Sequence, residues 1–210
     1  MFSHSLLSLH DTYRPVSAKN WNGGNHMKLT TRQLTVAGLM TAMTVLLGAT
    51  QWGFVPLPTP AGAATIMHIP VIIAGMLQGP VVGGFVGLLF GISTIPFLGD
   101  LRVVIPARLF IGGVAWLAFV GVLAVARKFW SGARLRGALG LAGIAAGVAG
   151  TLTNTLGTLL LAVVFGYIDP AAAVTIVLVQ GVPEMLLAGV VTGGLAVALK
   201  PWLKDGRFKF

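Results

Sequence analysis

Five side chains capable of polar chemistry sit where so apolar a chain has least reason to carry them. They are Arg102 and Arg108 in "LRVVIPARLF", Asn154 in "GTLTNTLGT", and Gln180 with Glu184 in "VQGVPEMLLAG". An ionisable group within a membrane span is costly unless it meets a partner or a wet cavity, so it marks a functional site by default. Arginine offers a fork of donors suited to a carboxylate, the amides both donate and accept, and an ionised glutamate only accepts. Gln180 and Glu184 are one helical turn apart and share a face. The five are expected to line one outward-opening pocket for a small polar ligand. A structural alternative stands beside this: Glu184 and Arg108 neutralise each other and hold the fourth and sixth helices in register. Trp52 and Phe54 border a proline-rich loop, either as anchors at the membrane boundary or as an aromatic cover over the ligand.

Other chemistry finds little support. His68 in "TIMHIPVI" has no acidic residue or second histidine at ligand spacing, so a hydrogen-bonded histidine at a helix end is expected rather than a metal ligand. The chain has no cysteine, and it contains no "GxxxxGK[ST]", "HExxH" or "GxSxG". No catalytic residue, metal or cofactor is therefore expected. Uphill transport by this chain would draw its energy from an ion gradient or from partner subunits.

The elements that must position these residues are membrane helices. Of 210 residues, 56% are hydrophobic and 9% charged, with a mean hydropathy of +0.90, against roughly 25% charged in a soluble domain. A crossing takes about 20 apolar residues, so the length accommodates about six. The runs fall near residues 34–52, 65–77, 81–97, 103–126, 138–165 and 171–199; the second is short for a full crossing and is expected to be tilted or shielded by protein. The expectation is an all-α, six-helix membrane bundle over residues 28–199, with a polar tail at 1–27 and a basic tail at 200–210. The first tail lacks the apolar stretch of a signal peptide. Met27 is a candidate native start, because "NGGN" is encodable by a purine-rich GGAGGT just upstream of its codon.

Charge sets the orientation. Lys28 and Arg32 precede the first span, Arg127, Lys128, Arg134 and Arg136 separate the fourth from the fifth, and Lys200, Lys204, Arg207 and Lys209 follow the sixth. With six spans all three clusters fall on one side, which the positive-inside rule makes cytoplasmic, with both termini inside. The net charge of +9 is thus read as topology rather than as affinity for nucleic acid.

Small residues supply close-packing faces. Gly79, Gly83, Gly87 and Gly91 recur every fourth position, and Gly38 pairs with Ala42. Such stripes serve internal packing or, alternatively, a neighbouring subunit. On the second reading Gly38, Ala42, Gly83 and Gly87 are partner-binding.

From "TIMHIPVIIAGMLQGPVVGGFVGLLFGIS" through "PARLFIGG", "GTLTNTLG" and "GVPEMLLAG", the chain resembles the substrate-specific S components of energy-coupling factor (ECF) transporters, the bacterial vitamin importers. The likeness spans residues 28–199. It implies a six-helix protein of the bacterial cell membrane that captures a vitamin from outside, with a transmembrane T component and two cytoplasmic ATPases as partners, and that topples in the bilayer to deliver it. It further implies ligand contacts in the loop after the first helix, residues 52–64, and at Arg102 to Arg108, Asn154 and Gln180 to Glu184. The family's "AxxxA"-like docking pair corresponds to "GLMTA", Gly38 to Ala42, with glycine for the first alanine. Pantothenate is the favoured ligand, its carboxylate meeting an arginine and its amide and hydroxyls meeting Asn154 and Gln180; riboflavin or another vitamin is the alternative. A self-sufficient secondary transporter or channel is the competing function.

Overall fold

The computed structural model describes residues 29–50, 52–56, 63–98, 100–130 and 132–199, so the expectations for both tails and for the Met27 start lie outside the described residues. The first helix, α1 (Thr31–Ala49), begins with a capping box: the Thr30 hydroxyl accepts from the Gln33 N–H, and the Gln33 side chain accepts from the Thr30 N–H at 2.9 Å. It leads to a two-stranded antiparallel ladder, β1 (Phe54–Pro56) and β2 (Ala63–Thr65), pairing Phe54 with Thr65 and Pro56 with Ala63. This short ladder stands beside a fold that is otherwise mostly helical. Pro56 ends the described part of β1, and residues 57–62 of the proline-rich loop lie outside the described residues.

Among the described residues, four helical spans are long and apolar enough to cross a membrane: Thr31–Ala49, Leu101–Phe129, Gly137–Val164 and Pro170–Ala198. The other two expected spans are also apolar helices, of which one is short. Helix α2 (Ile69–Gln78) has ten residues, about 15 Å of rise, half the hydrocarbon thickness. It stops because Gly79 adopts φ 92° and Pro80 begins α3 (Pro80–Leu98). Its shortness is tolerable because it is sheltered by protein: Val71, Ile72, Ala74 and Met76 are all fully buried, and α2 packs against α1, α3 and the helices of all three later spans.

The 101–129 span divides into α4 (Leu101–Leu109) and α5 (Ile111–Phe129). Helix α6 (Gly132–Val164) runs 33 residues. The last span comprises α7 (Pro170–Ile176), a π-helical turn (Val177–Gly181) and α8 (Val182–Ala198). Pro183 has no N–H to give the Val179 carbonyl, and the wider π turn absorbs that break without ending the helix.

The glycine stripe is internal. Gly75 of α2, Gly83 of α3 and Gly112 of α5 meet backbone to backbone: a Cβ on Gly83 would stand 2.6 Å from the Gly75 Cα and 2.8 Å from the Gly112 Cα, while one on Gly87 would collide with the Arg108 carbonyl. The space that side chains would take at Gly83 and Gly87 is thus filled by the protein's own backbone. Outward-facing positions are apolar instead, including Leu46, Leu117, Leu160, Leu186 and Val190. That is the surface of a chain solvated by lipid rather than water.

Candidate functional site

The buried polar residues gather in two groups, Glu184 with β2, α6 and the π turn, and Arg108 with Thr94 and Phe90 of α3. Glu184, 4% exposed, accepts three hydrogen bonds: from the Thr65 backbone N–H, from the Thr155 hydroxyl at 3.3 Å and from the Gln180 amide at 3.3 Å. Its donors belong to β2, α6 and the π turn, so one carboxylate ties the hairpin to two spans. The structural alternative weighed from the sequence, a Glu184–Arg108 pair, is not formed.

Arg108, in the last turn of α4, points toward α3. Its Nη1 donates to the Thr94 hydroxyl, its guanidinium lies 4.3 Å from the Phe90 ring centroid, and its buried Nε has no partner. Phe90 faces the guanidinium and the Thr94 hydroxyl takes one of its N–H groups, but the buried Nε is left over, and a guanidinium fork is suited to an anion.

Asn154 is likewise buried with its Oδ1 unpartnered. It belongs to a polar face of α6 at helical spacing, Thr151, Asn154, Thr155 and Thr158, of which the Thr158 hydroxyl is also unpartnered. Thr151 meets His68 Nε2 at 2.9 Å. His68 is fully buried at the start of α2, the hydrogen-bonded helix-end role expected for it. Among the described residues no group of three His, Cys, Asp or Glu side chains is placed to hold a metal. Helices α4 and α6 press together at Ala107 and Gly157, where an added Cβ would stand 3.2 Å from that of Ala107. Arg108 and Asn154 thus flank one helix contact. The crevice lined by Leu152, Thr155, Leu156, Val177, Gly181 and Met185 measures about 160 Å³, below the roughly 300 Å³ of a small-molecule pocket. In this conformation it is too small for such a ligand.

Arg102 joins neither group. Its side chain is 67% exposed, pairs with Asp100 at 2.9 Å and lies 4.7 Å from the Phe165 ring centroid, while the Tyr167 hydroxyl donates to the same carboxylate. These contacts clasp the α3–α4 corner to the α6–α7 turn. Hydrogen bonds from Arg102 and Tyr167 hold the Asp100 carboxyl well below the usual carboxylate range. The exposed Arg102 is thus held in a surface ion pair with Asp100, six positions before Arg108. Trp52 is 81% exposed, whereas Phe54 packs against the core. Gly38 has no atom within 4 Å of where a Cβ would stand, and Ala42 is exposed, so that pair remains an open face of α1.

Sequence reasoning missed Thr65, Thr94, Thr155 and Phe90 as members of these groups. The hydroxyl spacing in "GTLTNTLGT" carried a signal for Thr155. Thr65 acts through its backbone, for which side-chain identity carries none.

No curated protein matches this sequence. The sequence model of the family described as "ECF transporter, substrate-specific component" matches residues 32–196, which include every described member of both groups. Across that length, the chain belongs to the family of substrate-specific components of ECF transporters, which are substrate-binding transport subunits and not ATPases.

Proposed function

We propose that this subunit captures a water-soluble vitamin or vitamin precursor, pantothenate being favoured, from the outer face of a bacterial cell membrane. A T component and two cytoplasmic ATPases then energise its delivery inward. The observation that carries the reading is Arg108: a buried guanidinium with an unpartnered Nε and, among the described residues, no carboxylate in ion-pair range. A ligand carboxylate supplies the missing charge by a charge-assisted, forked hydrogen bond. The unpartnered Oδ1 of Asn154 accepts from a ligand amide or hydroxyl, which pantothenate carries beside its carboxylate. Phe54 and Trp52 border the entry, with the basic clusters on the opposite, cytoplasmic side. The open Gly38–Ala42 face of α1 is the surface offered to the T component.

Mass spectrometry of the small molecule retained on the purified protein tests this reading. Pantothenate is the expected finding. Retention of a different vitamin, with no affinity for pantothenate, overturns the choice of ligand, and absence of any vitamin binding overturns the function.

A further inference from the structure

We infer that Glu184 is a positioning residue, which fixes the β2–α2 junction over the site and does not itself contact the ligand. The inference rests on the function proposed above only in so far as the junction borders a binding site. Glu184 is four residues after Gln180 on the chain but reaches Thr65, 119 positions away, and Thr155 on α6. All three donors are neutral, and Oε1 serves two of them while Oε2 serves the third. A carboxylate only accepts, with about four lone-pair sites. It can therefore gather donors from β2, α6 and the π turn at one point, which a hydroxyl cannot do.

The anchored strand leads directly through Ile66 and Met67 to His68, whose ring is held by Thr151 one turn before Asn154. Thr65 is consequently the point at which the hairpin is tied to the same polar face of α6 that holds the unpartnered Asn154 Oδ1. The π turn beneath it is locked by the Gln180 bond, and a Cβ on Gly181 would stand only 3.3 Å from Thr155. The junction, α6 and the last span thus share one fastening.

Hydrogen–deuterium exchange of the purified protein, without ligand, reads the fastening directly, and pantothenate dissociation reads its consequence. Glu184→Ala is expected to speed exchange of the Thr65 amide by about tenfold or more, as for a lost hydrogen bond to a charged acceptor, and to speed pantothenate release. Glu184→Gln should restore both: its Oε1 still accepts from Thr65 and Gln180, and its amide donates to the Thr155 oxygen. Normal Thr65 protection in Glu184→Gln with pantothenate affinity abolished overturns the inference, since the charge would then act on the ligand. Unchanged Thr65 exchange in Glu184→Ala overturns it as well. If Glu184→Ala fails to fold, Thr155→Val, which removes one of the three donors, is measured in its place and should accelerate exchange at Thr65 to a smaller degree; no acceleration there counts against the fastening. Should wild-type protein not bind pantothenate, the ligand assignment falls while the exchange measurements still decide the role of Glu184.

Discussion

The two buried charges among the described residues, Glu184 and Arg108, resolve their desolvation cost differently. Glu184 is satisfied by three neutral donors from its own chain, whereas Arg108 has one hydroxyl, one aromatic face and an unpartnered Nε. A truncated Arg108 should therefore leave folding nearly intact and remove ligand binding. We expect Arg108→Gln to lower pantothenate affinity by at least about thirtyfold, equivalent to roughly 2 kcal/mol or more for loss of one partner of a buried charge pair. Isothermal titration on detergent-solubilised protein checks this. Equal affinity in variant and wild type would mean that Arg108 does not meet the ligand. Arg102, exposed and already paired with Asp100, should tolerate substitution by Gln with affinity unchanged.

At the scale of elements, the short α2 and the glycines decide the site's shape. A ten-residue helix can sit inside a membrane protein only if other helices enclose it, and Gly75, Gly83 and Gly112 let α2, α3 and α5 approach at backbone distance. That approach places Phe90 and Thr94 of α3 against Arg108. Gly83→Val should destabilise the fold by about 3 kcal/mol or more, because the new side chain meets backbone that has no rotamer to change. A thermal unfolding series in detergent reads the loss, with the exposed Gly38→Ala as the control expected to leave the midpoint nearly unchanged. The π turn belongs to the same scale: Pro183 interrupts the helix ladder immediately before Glu184, and Gln180 within that turn donates to the carboxylate. In α6, by contrast, helical spacing alone aligns Thr151, Asn154, Thr155 and Thr158.

At the scale of the molecule, the described spans turn apolar side chains such as Leu117, Leu160 and Leu186 outward and bury Arg108, Asn154, Gln180 and Glu184. Membership of the ECF substrate-specific family makes it a transport subunit, and its sequence contains no phosphate-cradling motif of its own. Liposomes containing this chain alone should show no pantothenate accumulation under an imposed proton or sodium gradient. Accumulation should appear when a T component and its ATPases are co-reconstituted with ATP. Gradient-driven accumulation by the lone chain would favour a self-sufficient transporter instead.

The amino-acid sequence by itself determined the membrane character, the positions of the apolar runs, the breaks at "QGP" and "GYIDP", and the identity of Arg108, Asn154, Gln180 and Glu184 as residues too costly to bury idly. Those features depend on composition and local spacing, which a linear chain displays. Tertiary structure alone decided that Arg108 turns to Thr94 and Phe90 rather than to Glu184, that Arg102 remains at the surface, and that Gly83 and Gly87 face inward. It also revealed the Thr65 N–H as the partner of Glu184. Each of those outcomes depends on which helix lies beside which and on backbone groups common to every residue, and neither is written in side-chain type or in the interval between positions.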